Sequence, residues 1–246
     1  ALGIMSGTSL DGLDFSLIKS DGTTKINVLF NHYFKFDLNM KQNINKLIIN
    51  FNTKTINSVK KTSFFKETEM KFNDLMIRKI KVFFKKIRFD FEKLDLIGIH
   101  GNTLIHNPKK NISIQLGDFK LLSKKLNKII IANFRDNDIN LGGEGAPLVP
   151  IYHQAVFSKA NKNIMVVNIG GLSNFSFLIG KKRVVSSDIG PGNALIDKYC
   201  NMKFKKSFDN KGQLAKKGCL EKKIVKKWLK KNFLKKKFPR SFDNNF

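Results

Sequence analysis

Near the start of the chain, the segment "GIMSGTSLDGLD" gathers Gly7, Thr8, Ser9 and Gly12 into one short turn and adds two carboxylates, Asp11 and Asp14, three residues apart. Small residues let a backbone approach a ligand closely, hydroxyls and amide N–H groups donate to phosphate oxygens, and a nearby acid can hold a divalent cation through water. These residue types fit a phosphate-binding turn, although a tight hairpin turn with Asp in it uses the same ones. A P-loop is excluded because GxxxxGK[ST] does not occur, and no GxGxxG opens a helix after the first strand. Farther along, "VNIGGLSNFS" sets Gly170 and Gly171 after an apolar run, and "SSDIGPGN" sets Asp188 ahead of a Gly-Pro-Gly turn. Taken alone, an Asp in that place is a turn former or a helix cap.

The elements that must carry these turns alternate between strand and helix. "ALGIM" and "LDFSLIKS" flank the opening turn as a β-hairpin, and "INVLFNHYFKF" supplies a third strand. Phe72, Met76, Ile80, Phe83 and Ile87 step by 4, 4, 3 and 4, which predicts one long amphipathic helix ending near Ile87. "LDLIGIH" reads as a buried strand ending at "HGNT", and "KIIIANF" as another ending at "RDND". "NLGGEGAPLVP" holds three Gly and two Pro in eleven residues, so it reads as an ordered loop and hinge, placed near residues 133 to 145. After a short helix near "IYHQAVF", the strands "NIMVVNIGG", "LSNFSFLI" and "KRVVSSDIGPGN" repeat the opening pattern, and a helix follows. Two copies of a three-strand meander, each with a Gly-rich turn after its first strand, predict an α/β chain of two similar domains facing each other.

Composition limits the function classes. The 246 residues carry a net charge of +27, but of the 46 basic residues 41 are Lys and 5 Arg, and Asn reaches 26. Base readers favour the Arg fork, whereas here Lys and Asn are raised throughout, as an AT-rich coding bias would produce. The charge is therefore read as a solubility and association term, with a basic nucleic-acid-binding protein as the rival class. No run approaches the roughly 20 apolar residues of a membrane span, and no basic n-region marks a signal peptide. Cys200 and Cys219 match neither a disulfide framework nor a zinc site, so a reducing, cytoplasmic setting is expected. In "LEKKIVKKWLKKNFLKKKF", Leu220, Ile224 and Trp228 fall at helical spacing among lysines. This predicts a surface helix whose apolar stripe faces a core, with a membrane-surface or partner helix as the alternative.

In order along the chain, "GIMSGTSLDGLD", "LGGEGAPLVP", "VNIGGLSNFS" and "DIGPGN" resemble the anhydro-N-acetylmuramic acid kinase family, from the first residues to about Asn193. The resemblance implies an actin-like (ribonuclease H-like) ATPase fold of two similar domains flanking a cleft, residues 1–135 and 136–246. The implied reaction uses water to open a 1,6-anhydro bridge while ATP phosphorylates the freed O6, giving N-acetylmuramic acid 6-phosphate in peptidoglycan recycling. Gly7, Thr8, Ser9, Leu10, Asp11, Gly12, Leu13 and Asp14 match the ATP-phosphate turn, Gly170 and Gly171 join the nucleotide site, and Asp11 would hold Mg²⁺ through water. Asp188 matches the catalytic aspartate, which takes the proton of the attacking water.

Arg135 in "NFRDND" is the cation expected beside the sugar's lactyl carboxylate, with Thr103 and His100 in "HGNT" as further sugar contacts. Asn102 stands where the family usually has Gln, and Asn133 and Asp136 replace the usual Asp and Arg around Arg135. Neither a specific nucleic acid nor a membrane is an implied partner, and a homodimer is the assembly considered for the full-length parent. Family members continue through a glycine-rich adenosine-binding segment, a second active-site acid and a closing helix. The sequence is accordingly expected to be an incomplete copy, clipped at its start and with an incomplete second domain, and inactive on its own.

Overall fold

The computed structural model describes residues 1–7, 9–23, 25–230 and 237. They form two compact units, Ala1–Ala146 and Pro147–Phe246.

The first unit opens with an antiparallel meander of β1 (Leu2–Met5), β2 (Gly12–Ser20) and β3 (Ile26–Lys35). Alternation sets the faces: Leu2, Ile4, Leu13, Phe15 and Leu17 point into the core, while Gly3, Met5 and Asp14 point away from it. Three helices follow, α1 (Leu38–Thr53), α2 (Ile56–Lys61) and α3 (Ser63–Ile87). Side chains cap them as local chemistry requires: the Met40 N–H donates to Asp37 Oδ1 at 2.7 Å and the Phe65 N–H to Thr62 Oγ1 at 3.1 Å. The stripe that predicted α3 is its buried side, with Phe72, Met76, Ile80 and Phe83 all fully buried.

Beyond α3 come β4 (Leu96–Ile99), the hairpin β5 (Asn102–Asn107) and β6 (Ile112–Leu116), α4 (Phe119–Leu126), β7 (Ile129–Ile131) and α5 (Asp136–Asn140). The main sheet runs β3-β2-β1-β4-β7, with β1, β4 and β7 parallel. The helices cover one face. The other carries a hollow of about 660 Å³ whose lining includes Gly3, Met5, Asp14, Tyr33, His100 and Phe134.

Two sequence readings change here. The strand expected to end at "HGNT" stops at Ile99, and Gly101, at φ 71°, turns the chain directly into β5, so Thr103 lies inside a hairpin and not at a strand end. The strand expected over "KIIIANF" shrinks to three residues, because Asn133 at φ 55° has already left extended geometry.

The second unit contains α6 (Val149–Phe157), a meander of β8 (Asn163–Ile169), β9 (Leu172–Ile179) and β10 (Arg183–Pro191), then α7 (Ala194–Phe204) and α8 (Lys222–Leu229). Its sheet order is β10-β9-β8, antiparallel throughout. Apart from Pro150, Leu178 and Cys200, the buried apolar side chains among the described residues belong to the first unit, whereas Met165, Val167 and Ile169 of β8 are exposed. Of the stretch "LEKKIVKKWLKKNFLKKKF", Lys222–Leu229 form the helix α8, but its stripe does not face a core: Ile224 and Trp228 are 55% and 51% exposed. No described residue covers that side, and residues 231–236 and 238 of the same lysine-rich stretch lie outside the described residues. No described helix is long and apolar enough to cross a membrane.

Candidate active site

The turn between β1 and β2 is built from both ends. Leu10 takes a left-handed conformation (φ 54°), and its N–H donates to the Gly7 carbonyl at 3.3 Å. The Phe36 N–H donates to the Asp11 carbonyl at 2.8 Å, which ties the turn to the chain just beyond β3. Leu10 and Leu13 are buried, so they anchor the turn, while Ser9, Asp11 and Asp14 project outward. Ser9 Oγ donates to Asp11 Oδ1 at 2.6 Å. Partial burial, then the charge of Asp11, raises the Asp14 carboxyl above the usual carboxylate range. Thr8 lies outside the described residues. Gly12 is packed tightly: a Cβ there would collide with the Phe34 carbonyl oxygen and come within 2.8 Å of the Tyr33 ring.

One residue important to this turn was noted in the sequence only as a departure from the family. Asn102 is fully buried, and its Nδ2 donates to Ser6 Oγ at 2.9 Å and to the Gly7 carbonyl at 3.0 Å. Its position beside Gly101, between the apolar runs Leu96–Ile99 and Leu104–Ile105, was the available signal. Because Gly7 O can only accept, the amide must face it, and Asn102 Oδ1 is left buried with no partner among the described residues. Asn102→Ala is expected to lower stability by about 1–3 kcal/mol by freeing the Gly7 carbonyl and Ser6. Asn102→Asp should cost more, since it places an acceptor against an acceptor. Urea unfolding midpoints check both.

A second cluster joins the end of β4 to the loop after α5. Arg135 Nε donates to His100 Nε2 at 3.1 Å, and Nη1 donates to the Gly145 carbonyl at 3.4 Å. The Gly145 N–H in turn donates to Asp138 Oδ2 at 2.6 Å. Gly145 sits at φ 63°, and a Cβ there would come within 2.6 Å of Ile139 Cγ1, so the loop fits closely over α5. Burial, together with the Arg135 charge, lowers the His100 and His106 imidazoles below their ordinary value. The structure thus brings two of the three expected sugar contacts together. Thr103, half-buried on β5, sits opposite Gln115 in register, with a bulge following it. His106 and Asp138, not picked out from the sequence, complete the surroundings of Arg135.

In the second unit, β8 and β10 end in turns that interlock. The Gly192 and Asn193 N–H groups donate to the Gly171 and Gly170 carbonyls at 2.9 and 2.7 Å, and Asn193 Nδ2 donates to the Ile169 carbonyl at 3.2 Å. The Gly170 N–H is itself engaged with the Leu172 carbonyl at 3.1 Å, so these glycines act first as a scaffold. Asp188 pairs with Asn174 and Gly190 with Ser173, which leaves Ile189 as the extra residue of a β-bulge. Asn174 also pairs with Asn168 on β8, so Asn168, Asn174 and Asp188 form one polar row across the sheet, just below the interlocked turns. Asn174 was missed from the sequence because its register with Asp188 exists only once the strands pair.

The family model described as anhydro-N-acetylmuramic acid kinase matches residues 1–245 of the chain. The chain belongs to the anhydro-N-acetylmuramic acid kinase family. It is 39% identical over 224 residues to the anhydro-N-acetylmuramic acid kinase of Pelagibacter ubique, covering 87% of this chain and 57% of that one. It is 32% identical to the family member from Rhodopseudomonas palustris, covering 100% of this chain and 67% of that one. The Bacillus cereus family member is 33% identical over 97% of the chain and 64% of its own length. The chain therefore spans roughly three-fifths to two-thirds of the length of these kinases. Among solved structures, a Ppx/GppA family member from Aquifex aeolicus aligns over 80% of this chain and 53% of its own, with 11% identity and a TM-score of 0.33.

Proposed function

We propose that this chain carries the phosphate turn, the sugar anchor and the catalytic base of an ATP-dependent kinase that opens 1,6-anhydro-N-acetylmuramic acid with water and phosphorylates its O6. The observation that carries this reading, beside family membership, is Asp188 on a bulge next to the interlocked Gly170–Gly171 and Pro191–Asn193 turns. The bulge falls directly after Asp188 and bends its strand there, which suits a carboxylate that must reach water attacking C1. Asp188 then takes that water's proton, and Arg135 holds the lactyl carboxylate so that the sugar presents O6 in a fixed orientation. In this reading the turn from Gly7 to Asp14 receives the phosphates of ATP.

The outward carboxylates fit a hard divalent cation. Asp11 is exposed, its neighbour Asp14 is already held toward protonation, and the donors are oxygens. Among the described residues no group of three His, Cys, Asp or Glu is placed to hold a metal ion, so Asp11 would hold Mg²⁺ through water while phosphates fill the remaining positions. The ion would neutralise charge on the transferring phosphoryl group. An actin-like architecture with domains 1–135 and 136–246, a cytoplasmic location and a homodimer of the full-length protein belong to the same reading. The antiparallel meander that opens the strand order of each unit supports the two-domain part. The decisive assay follows ADP release from the full reading frame with and without the anhydro sugar, with mass analysis of the product. Sugar-independent release, or a product lacking phosphate on O6, overturns the proposal.

Two expectations accompany it. Residues 1–246 expressed alone are expected to self-associate and to show no multiple turnover, because Met165, Val167 and Ile169 of β8 and Tyr199 and Met202 of α7 are exposed. Monodisperse, rapidly turning-over protein in light scattering and ADP assays would contradict this. The lysine-rich surface, including α8, should bind duplex DNA without sequence preference, near the roughly 10⁻⁴ to 10⁻⁶ M non-specific range at physiological salt. A nanomolar, sequence-selective complex in a fluorescence titration would favour the nucleic-acid class instead.

A further inference from the structure

We propose that His100 is a positioning residue: a neutral imidazole, protonated on Nδ1, that grips Arg135 by its Nε edge and turns the outer guanidinium edge toward a carboxylate ligand. The carboxylate part rests on the reading of Arg135 given above; the grip does not.

Two neighbours with fixed roles determine the tautomer. His100 Nδ1 lies 2.9 Å from the Gly101 carbonyl, which can only accept, so Nδ1 carries the proton. Nε2 lies 3.1 Å from Arg135 Nε, which can only donate, so Nε2 offers its lone pair. Both ring nitrogens are thereby committed, and His100 has no donor left for a sugar. Its function is carried out through Arg135.

The same bonds decide what Arg135 can offer. A guanidinium has five N–H groups. Nε–H goes to His100 and one Nη1–H to the Gly145 carbonyl. The other three, on Nη1 and Nη2, meet no partner among the described residues, and together they form the edge that matches a carboxylate with two parallel bonds. Both fixed points are themselves held. The Gly145 peptide is pinned by Asp138, and His100 is pinned by its own N–H donating to the Ile4 carbonyl at 3.1 Å.

Protonation would undo the grip, since an imidazolium Nε2–H would face the Arg135 Nε–H with like charge. The groups facing the pair are His106 from β5, Glu144 beside His106, and Asp14 from β2, which shares the hollow with His100. Burial first, then Arg135 and His106, lower the His100 value below 6.5, while its bond to Gly101 opposes them. The neutral form therefore holds above that ordinary value, and the grip is lost as pH falls below it, toward the depressed folded value.

The test uses the same full reading frame as the ADP assay, with ¹⁵N-labelled His and Arg. Near neutral pH, long-range ¹H–¹⁵N spectra should show His100 protonated on Nδ1 with a bare Nε2, and a slowly exchanging Arg135 Nε–H. Acidification should remove that Arg signal in step with imidazolium formation. His100→Gln keeps an acceptor near the Nε2 position and should retain the signal across the same pH range, whereas His100→Asn falls short and should lose it. A structural role alone would not separate the two amides.

An Nε2–H tautomer, or an Arg135 signal indifferent to His100→Asn, overturns the proposal. A separate arm compares 1,6-anhydro-N-acetylmuramic acid with the same anhydro sugar lacking the lactyl ether. The lactyl sugar should bind about tenfold tighter, a preference that His100→Asn should erase. Equal binding with the tautomer intact leaves the grip standing and overturns the carboxylate role of Arg135.

Discussion

Asp188→Asn in the full reading frame is expected to lower sugar-dependent ADP release by about 10²- to 10⁴-fold, the range a positioned general base contributes, with little change in the unfolding midpoint. The amide keeps the shape of the carboxylate and the backbone register with Asn174, so the bulge and the interlocked turns have no steric reason to move. What would disappear, on the proposed mechanism, is the group that accepts the water's proton. The loss should appear in kcat, with nucleotide affinity little changed, because an isosteric amide gives neither the Gly170–Gly171 turn nor the turn from Gly7 to Asp14 a steric reason to move. Near-normal turnover by this variant would remove Asp188 from the mechanism.

Gly12→Ala should be the most damaging small change in the turn from Gly7 to Asp14. The new methyl group would meet the Phe34 carbonyl oxygen, a backbone atom of the neighbouring strand, and the Tyr33 ring beside it. Neither can rotate away without disturbing the pairing of Gly12 with Lys35. Overpacking of this kind costs typically about 1–3 kcal/mol, and the upper end is expected here because backbone must shift. The displaced turn should also lose ATP affinity. Gly7→Ala is the control for stability alone, since its added Cβ would meet only Ser9 Oγ, at 3.6 Å, an ordinary contact. Urea unfolding midpoints separate the two variants. Equal stability for both would show that the β2–β3 junction is looser than its geometry indicates.

How much of this was legible in the sequence depended on the reach of each interaction. The two meanders, β4 and α3 were readable because apolar runs, alternation and the Phe72–Ile87 stripe are local patterns, and the glycine turns because backbone approach restricts residue type, whereas the hairpin of β5 and β6 was not read. The same kind of stripe, Met40, Ile44, Leu47 and Phe51 at steps of 4, 3 and 4, underlies α1 but was not read from the sequence, where Asn and Lys surround it. Asn102 clamps residues almost a hundred positions earlier, and no local pattern signals such a partner. For α8 the period was right but the environment was not, since a helical stripe says which side is apolar and not whether anything covers it. The His100–Arg135 pair was named from the family motif as two sugar contacts, yet only the distance between them divides their roles into holder and held.

The uneven distribution of buried apolar residues between the two units has a consequence for the time course of local opening. Amides of β1, β4 and α3 lie over the phenylalanine-rich interior and should exchange with solvent hydrogen only through opening of that whole unit. Those of β8, α7 and α8 have little beneath them to hold them closed and should exchange through separate, lower-energy openings. Limited proteolysis should follow the same gradient: early cuts would fall after Ala146, leaving a resistant core that retains the phosphate turn and Arg135. The polypeptide is thus expected to behave as two segments with different lifetimes, the shorter-lived one carrying Asp188.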